Sequence, residues 1–236
     1  MKRIFLAMAL CVFAVSASAF EADFSAAYMS KYVFRGERLL DNACVTPKFA
    51  LTANNFELSA MTIYDSKKEE AYRHVYELVF KTQVKKVGLD VGFLRYDPKK
   101  GNDTNEFFAK ATWKGNWQPS LAVFFDFQEG SGKYIQAGLA RAITSGKNQT
   151  LFGINIGYVM NNEYMGVTKN KDSFAGLYNA EICLKSSVEA GKYITVEPFI
   201  AYSMPLSNDG KEAIRSLSIN QAAHNFYGGI ALHAAF

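Results

Sequence analysis

From residue 23 to the last residue the chain alternates between apolar and polar side chains, in segments of about ten residues separated by clusters of Gly, Asn, Asp, Lys and Ser. Side chains on an extended backbone point to opposite faces in turn, so a period of two predicts strands with one apolar and one polar face. Twelve such segments are legible, at 23–34, 43–51, 56–64, 72–82, 87–96, 106–113, 120–127, 133–142, 149–160, 174–185, 192–202 and 224–236. Pro47 weakens the second, because a paired strand uses the N–H that proline lacks. Merging the second and eighth segments with their neighbours would leave ten. At 72–82, Tyr72, His74, Tyr76, Leu78 and Phe80 oppose Arg73, Val75, Glu77, Val79 and Lys81. The second of these faces is too polar for the core of a soluble sandwich.

The connections narrow the fold further. Tight turns near 53–55, 83–86, 114–117, 143–147 and 186–191 alternate with longer links at 35–42, 65–71, 97–104, 128–132, 161–173 and 203–223. Outer-membrane barrels alternate in this way, with short periplasmic turns and longer outer loops. The apolar faces carry aromatic residues near their ends, among them Tyr28, Tyr32, Phe34, Tyr64, Tyr72, Trp113, Phe127, Tyr158 and Tyr202. Rings with an apolar body and a wet tip suit the two membrane interfaces. A β-protein in hydrocarbon must pair every backbone amide internally, which requires closure. The expected fold is therefore an all-β transmembrane antiparallel barrel of twelve strands, occupying residues 20–236 with its N terminus on the periplasmic side. In the last strand Phe226, Gly228, Ile230, Leu232, Ala234 and Phe236 share one face. A terminal aromatic on an alternating strand reads as the signal that such barrels present to the barrel assembly machinery.

Export is written at the other end. Lys2 and Arg3, an apolar run from Ile4 to Val15 and the small residues Ala17, Ser18 and Ala19 read as a signal peptide at 1–19. Without it, 24 basic residues face 22 acidic ones, which gives no electrostatic case for nucleic acid. Cys44 and Cys183 then remain; they fall on non-adjacent strands at different heights, near the outer end of the second and the periplasmic end of the tenth. Two free thiols are expected.

With the aromatic faces toward lipid, the polar faces line a lumen. They place Lys31, Lys48, Glu57, Arg73, Glu77, Lys81, Asp90, Glu106, Lys110, Asp126, Glu181 and Glu197 on the inner wall, with Arg35 at its rim. Twelve strands lie between the small barrels that side chains fill and the large ones that hold an aqueous channel. A wall of mixed charge suits small polar solutes with weak ion selectivity, or else pairs internally in a closed structural or receptor-type barrel.

The segment Tyr28-Met29-Ser30-Lys31-Tyr32-Val33-Phe34-Arg35-Gly36 resembles the opening strand of the TorF-like porin family (Gcw_chp), bacterial conserved hypothetical proteins of the outer membrane. The resemblance covers these nine residues and the last strand. It implies an outer-membrane barrel and a suspected channel, and it supplies no catalytic residues. In this reading Tyr28, Tyr32 and Phe34 face lipid, Arg35 can pair with a wall carboxylate, and Gly36 permits a sharp exit into the first outer loop.

A lipid hydrolase on the barrel wall is the rival class, and it needs a serine and a histidine facing the membrane. His74 is the one histidine expected to point toward lipid; His224 starts the last strand and His233 faces the lumen. Gly-x-Ser-x-Gly is absent, no His and Cys grouping has metal-ligand spacing, and no Gly-rich phosphate loop is present. Asn102 with Asp103, or Asn161 and Asn162 with Glu163, are the only loop sets that could chelate calcium. The sequence thus calls for no catalytic residue, cofactor or metal. The expected partners are outer-membrane lipid, the assembly machinery and small polar solutes.

Overall fold

The computed structural model describes residues 20–166 and 174–235. The expected signal peptide at 1–19, part of the fifth long loop and Phe236 lie outside the described residues.

Twelve strands close into one antiparallel barrel: β1 (Glu21–Met29), β4 (Cys44–Ala53), β5 (Phe56–Asp65), β6 (Glu70–Val84), β7 (Val87–Pro98), β8 (Thr104–Trp113), β9 (Trp117–Asp126), β10 (Lys133–Ser145), β11 (Asn148–Met160), β12 (Gly176–Glu189), β13 (Ile194–Pro205) and β14 (Asn225–Ala235). Every neighbour in the barrel is the next barrel strand in sequence, and β14 pairs with β1 to close it, with Tyr28 opposite Ile230 and Phe24 opposite Ala234. The missing amide of Pro47 leaves its mark: β4 pairs with β1 throughout, but its ladder to β5 skips from Val45–Tyr64 to Lys48–Met61.

The alternation sorts the side chains. Phe24, Phe49, Val91, Phe107, Leu121, Leu139, Phe152, Ile200 and Leu232 stand on the outside, each 41–54% exposed, which is unfavourable in water and favourable in hydrocarbon. Rings gather at both rims: Trp113, Trp117 and Tyr193 beside the short turns, Tyr28, Tyr64, Phe127, Tyr158 and Tyr202 beside the long loops. Arg141 stacks over Trp117 at 5.0 Å, and the Lys192 ammonium sits 4.7 Å from the Tyr193 ring, both at the short-turn rim.

The first long link departs from the sequence reading. Its strand was expected to run to Phe34 and then leave through an outer loop. Instead β1 ends at Met29, the chain bends at Ser30 and Lys31, and β2 (Tyr32–Phe34) and β3 (Glu37–Leu40) form a separate hairpin inside the barrel. Tyr32 and Phe34 therefore do not face lipid. Tyr32, Leu39 and Leu40 are buried against the inward residues Cys44, Ile63, Val75, Val79, Leu94 and Phe108, and Phe34 packs on the same cluster. Gly36 belongs to a two-residue turn, not to an exit: Arg35 and Gly36 both have positive φ, 51° and 92°. That pair of left-handed residues is the turn that matches the twist of a tight hairpin.

The last long link also holds structure. Ser207 caps the helix α1 (Asn208–Leu217), its hydroxyl accepting from the Gly210 amide at 2.9 Å, with Asp209 in the first turn and Arg215 in the last. Ala213 and Ile214 turn inward to join Tyr134, Val159, Met165, Phe174, Tyr178 and Ala223 in a second apolar cluster. The hairpin and α1 thus fill the long-loop half of the lumen.

Candidate functional site

Between the short turns and the hairpin, the lumen is lined by charge. Lys48 reaches Glu57 at 3.6 Å and Glu77 at 3.5 Å, and Lys81 reaches Glu57 at 2.5 Å. On the β12–β14 side, Glu197 accepts from Lys185 at 2.5 Å and from Ser187 at 2.5 Å and lies 2.9 Å from His233. Asp90 and Lys110 are direct cross-strand partners in β7 and β8. Opposite charges alternate around the wall, so no one sign dominates the field inside it. At the short-turn mouth a vestibule of about 410 Å³ is lined by the inward residues Lys81, Gln83, Asp90, Thr112 and Lys114, with Asn55 and Gly88.

Above this polar section the hairpin crosses the lumen. Its base sits on the β1–β4 side, and its tip reaches the opposite wall. There the Arg35 guanidinium donates two parallel hydrogen bonds to Glu106 of β8, at 2.6 and 2.7 Å, and both side chains are buried. Paired forks of this kind combine charge with a fixed geometry. Three rings surround the same guanidinium, Phe34 at 4.8 Å, Phe124 at 4.5 Å and Tyr134 at 4.6 Å, and the Tyr96 hydroxyl donates to Glu106 at 3.2 Å. Two residues further, Glu37 accepts from the Tyr178 hydroxyl at 2.7 Å, and Asn225 donates to the Gly36 carbonyl at 3.0 Å. Arg38 ties the other edge to Asn225 at 2.7 Å and to Asp41 at 2.9 Å. Burial pushes the Glu37 carboxyl up to about 7, although the Tyr178 hydrogen bond and the Arg73 and Arg35 charges favour its ionised form. On the long-loop side of the tip lies a cavity of about 290 Å³ between Arg35, Glu37, Tyr72, Tyr96, Asp126 and the loop residues Asn162 and Met165.

The positions singled out from sequence therefore divide three ways. Lys48, Glu57 and Glu77 meet in one network, Arg35 meets Glu106, and Glu197 meets Lys185 and His233. Glu181 accepts from the Tyr227 hydroxyl at 2.6 Å, and Asp126, the cross-strand neighbour of Glu106, accepts from Thr104 at 2.8 Å. Arg73, near the long-loop end of β6, lines the cavity beside the hairpin and faces the rings of Phe34, Tyr72 and Tyr96 at 5.4–5.9 Å. Lys31 stands in the bend between β1 and β2 and not on a wall strand. The sequence reading missed His233–Glu197 and Tyr178–Glu37, because such pairs depend on register and on the hairpin's inward path. His74 faces outward, with Thr62 as its partner at 3.0 Å. Cys44 and Cys183 are both free; Cys183 lies near the middle of β12, which runs past 185 to Glu189. Among the described residues no group of three or more His, Cys, Asp and Glu could hold a metal. No helix among them is long and apolar enough to cross a membrane, which says nothing of the strands.

No protein-family model matches the sequence, and no curated protein matches it. Solved structures do match the fold. The NanC porin aligns with a TM-score of 0.56 at 11% identity, over 90% of this chain and 98% of that one. The KdgM porin aligns with a TM-score of 0.53 at 11% identity, over 92% of this chain and 99% of that one. A second KdgM structure, in complex with disordered oligogalacturonate, aligns equally well at 10% identity. At these identities the likeness is one of architecture: a closed antiparallel β-barrel of the kind found in outer-membrane porins.

Proposed function

We propose that the protein is a bacterial outer-membrane channel for small polar solutes with weak ion selectivity, and not an enzyme. The observation that carries this reading is the combination of a largely apolar, lipid-compatible exterior with a charge-balanced polar lumen, where Lys48, Lys81 and Lys185 interleave with Glu57, Glu77 and Glu197. Lys110, Asp90, Asp126 and Glu181 belong to the same wall, and the short turns face the periplasm. The complex of KdgM with an oligogalacturonate supports a polar solute as cargo. The nine residues from Tyr28 to Gly36 support membership of the TorF-like porin family, and the alternating face of β14 at Phe226, Gly228, Ile230 and Leu232, with Phe236 at the same period in the sequence, supports insertion by the barrel assembly machinery. A signal peptide at 1–19 supports export.

A closed structural or receptor-type barrel is the second reading, favoured by the apolar filling around the hairpin and α1. Conductance of the refolded protein in planar bilayers separates the two: stepwise current is expected of a channel, and its absence in every solute refutes one. The membrane barrel itself is tested by electrophoretic mobility before and after boiling. A folded barrel migrates differently from its unfolded chain.

A further inference from the structure

Most of the hairpin is fixed, and one part of it is not fixed in the same way. Its base is apolar: Tyr32, Leu39 and Leu40 lie among wall residues from β4 to β8, and withdrawing them would expose hydrocarbon to water. Its tip is more polar: Arg35 and Glu37 hold Glu106 and Tyr178 through hydrogen bonds and one ion pair, the Gly36 carbonyl accepts from Asn225 of β14, and the guanidinium also lies against the rings of Phe124 and Tyr134. Water or a polar solute that reaches the tip can replace its hydrogen-bond partners, whereas it cannot replace apolar contacts. β2 and β3 pair with each other and with no barrel strand, so movement of the tip breaks no ladder of the wall. The cavity of about 290 Å³ against Arg35 and Glu37 leaves one side of the tip without close packing.

Resting on the channel reading above, we propose that the tip from Arg35 to Glu37 is a displaceable bar across the lumen, latched by Arg35 on Glu106, and that solute passage requires its release toward the cavity on the long-loop side. The base stays anchored and acts as the hinge. The open state exchanges the Arg35–Glu106 fork for water and solute, and connects the periplasmic vestibule to the outer mouth.

A reversible cross-link tests this. A Cβ placed on Gly36 would lie 2.9 Å from the Asn179 Cβ, so Gly36→Cys with Asn179→Cys brings two thiols within disulfide reach in a Cys44→Ala, Cys183→Ala background; the positive φ of Gly36 strains any side chain there, so folding of the reduced variant is first checked by the boiling shift. Planar-bilayer current is recorded oxidised and then after reductant, with thiol labelling to confirm each state. The expected result is loss of at least nine-tenths of the openings on oxidation and their return on reduction. Glu106→Gln, whose folding is checked by the boiling shift, provides an independent arm: it weakens the latch and should raise open probability several-fold. Equal current from oxidised and reduced protein, or an open probability in Glu106→Gln no higher than that of wild type, leaves the channel standing and overturns the bar. Silence of the reduced protein and of Glu106→Gln alike refutes the channel and the bar together.

Discussion

Removing either partner of the Arg35–Glu106 fork should destabilise the barrel far more than removing both. The guanidinium and the carboxylate are 8% and 4% exposed, so neither can recover its hydration when the other is deleted. Arg35→Met leaves Glu106 with the Tyr96 hydroxyl as its remaining donor from this cluster; Glu106→Leu leaves a cation between Phe34, Phe124 and Tyr134, which hold it less well than a carboxylate. Breaking a buried pair from one side costs about 3–5 kcal/mol, whereas replacing both members with apolar groups of similar size is often near neutral. Arg35→Met keeps length, and it inherits the left-handed backbone at φ 51° that Arg35 already tolerates, so no new backbone cost arises. Each single variant should therefore shift the folded-to-unfolded ratio by roughly two to four powers of ten, and the double variant Arg35→Met/Glu106→Leu should cost about 1 kcal/mol or less. The assay is reversible denaturant unfolding in lipid vesicles. The two tryptophans, Trp113 and Trp117, sit at the opposite rim and report on the whole barrel without touching the mutated site. Single variants costing under about 1 kcal/mol, or a double variant costing the sum of the singles, would refute a desolvated and mutually dependent pair.

Other parts of the structure give shorter tests. Glu37 lies in the hairpin, outside the spanning strands, faced by Tyr178, Arg73, Arg35 and Tyr134, and its carboxyl is raised from the usual 4.5 to about 7. The folded chain therefore keeps a proton that the unfolded chain releases, so this contribution is full below about pH 4.5 and is lost as pH rises through about 7. Relative to Glu37→Gln, wild type should lose at most about 3 kcal/mol between pH 4.5 and 7.5, and parallel pH profiles for the two proteins would contradict the burial argument. Leu232→Arg puts a charge on the lipid face of β14 and should cost about 2–4 kcal/mol if Leu232 lies near the midplane, whereas Thr112→Arg in the vestibule should change stability little; vesicle unfolding compares them. Gly92→Ala brings a Cβ within 2.6 Å of the Phe108 ring and the Leu78 carbonyl, so a loss of about 1–3 kcal/mol is expected in the same assay. Cys44 and Cys183 should both take a thiol label after unfolding without reductant; absence of label would mean they are linked.

The barrel was legible because alternation is a local signal that survives tilt, closure and register. Each strand from β4 to β14 declares its two faces through its own residues, as Phe107, Ala109 and Ala111 do against Phe108, Lys110 and Thr112. The hairpin was not legible for the same reason. Tyr28, Ser30, Tyr32 and Phe34 keep their period of two through the bend at Ser30 and Lys31, and nothing in that period records that the chain has turned from wall to lumen. Its turn was hidden as well: a tight hairpin favours Asn, Asp or Gly at its first left-handed position, and Arg35 occupies it. What fixes Arg35 there is Glu106, 71 residues away, together with rings from β9 and β10. The two adjacent apolar residues Leu39 and Leu40, stranded in what reads as a solvated loop, were the available sign that this loop turns inward. In α1 the cluster Ser207-Asn208-Asp209-Gly210 reads as a loop on composition, yet the Ser207 hydroxyl on the Gly210 amide makes it a helix start. Sequence periodicity therefore gives the wall of such a barrel, while what fills the wall is set by contacts between residues far apart in the chain. In the channel proposed above those contacts close the lumen, so the residues assigned to passage are the ones that alternation alone conceals.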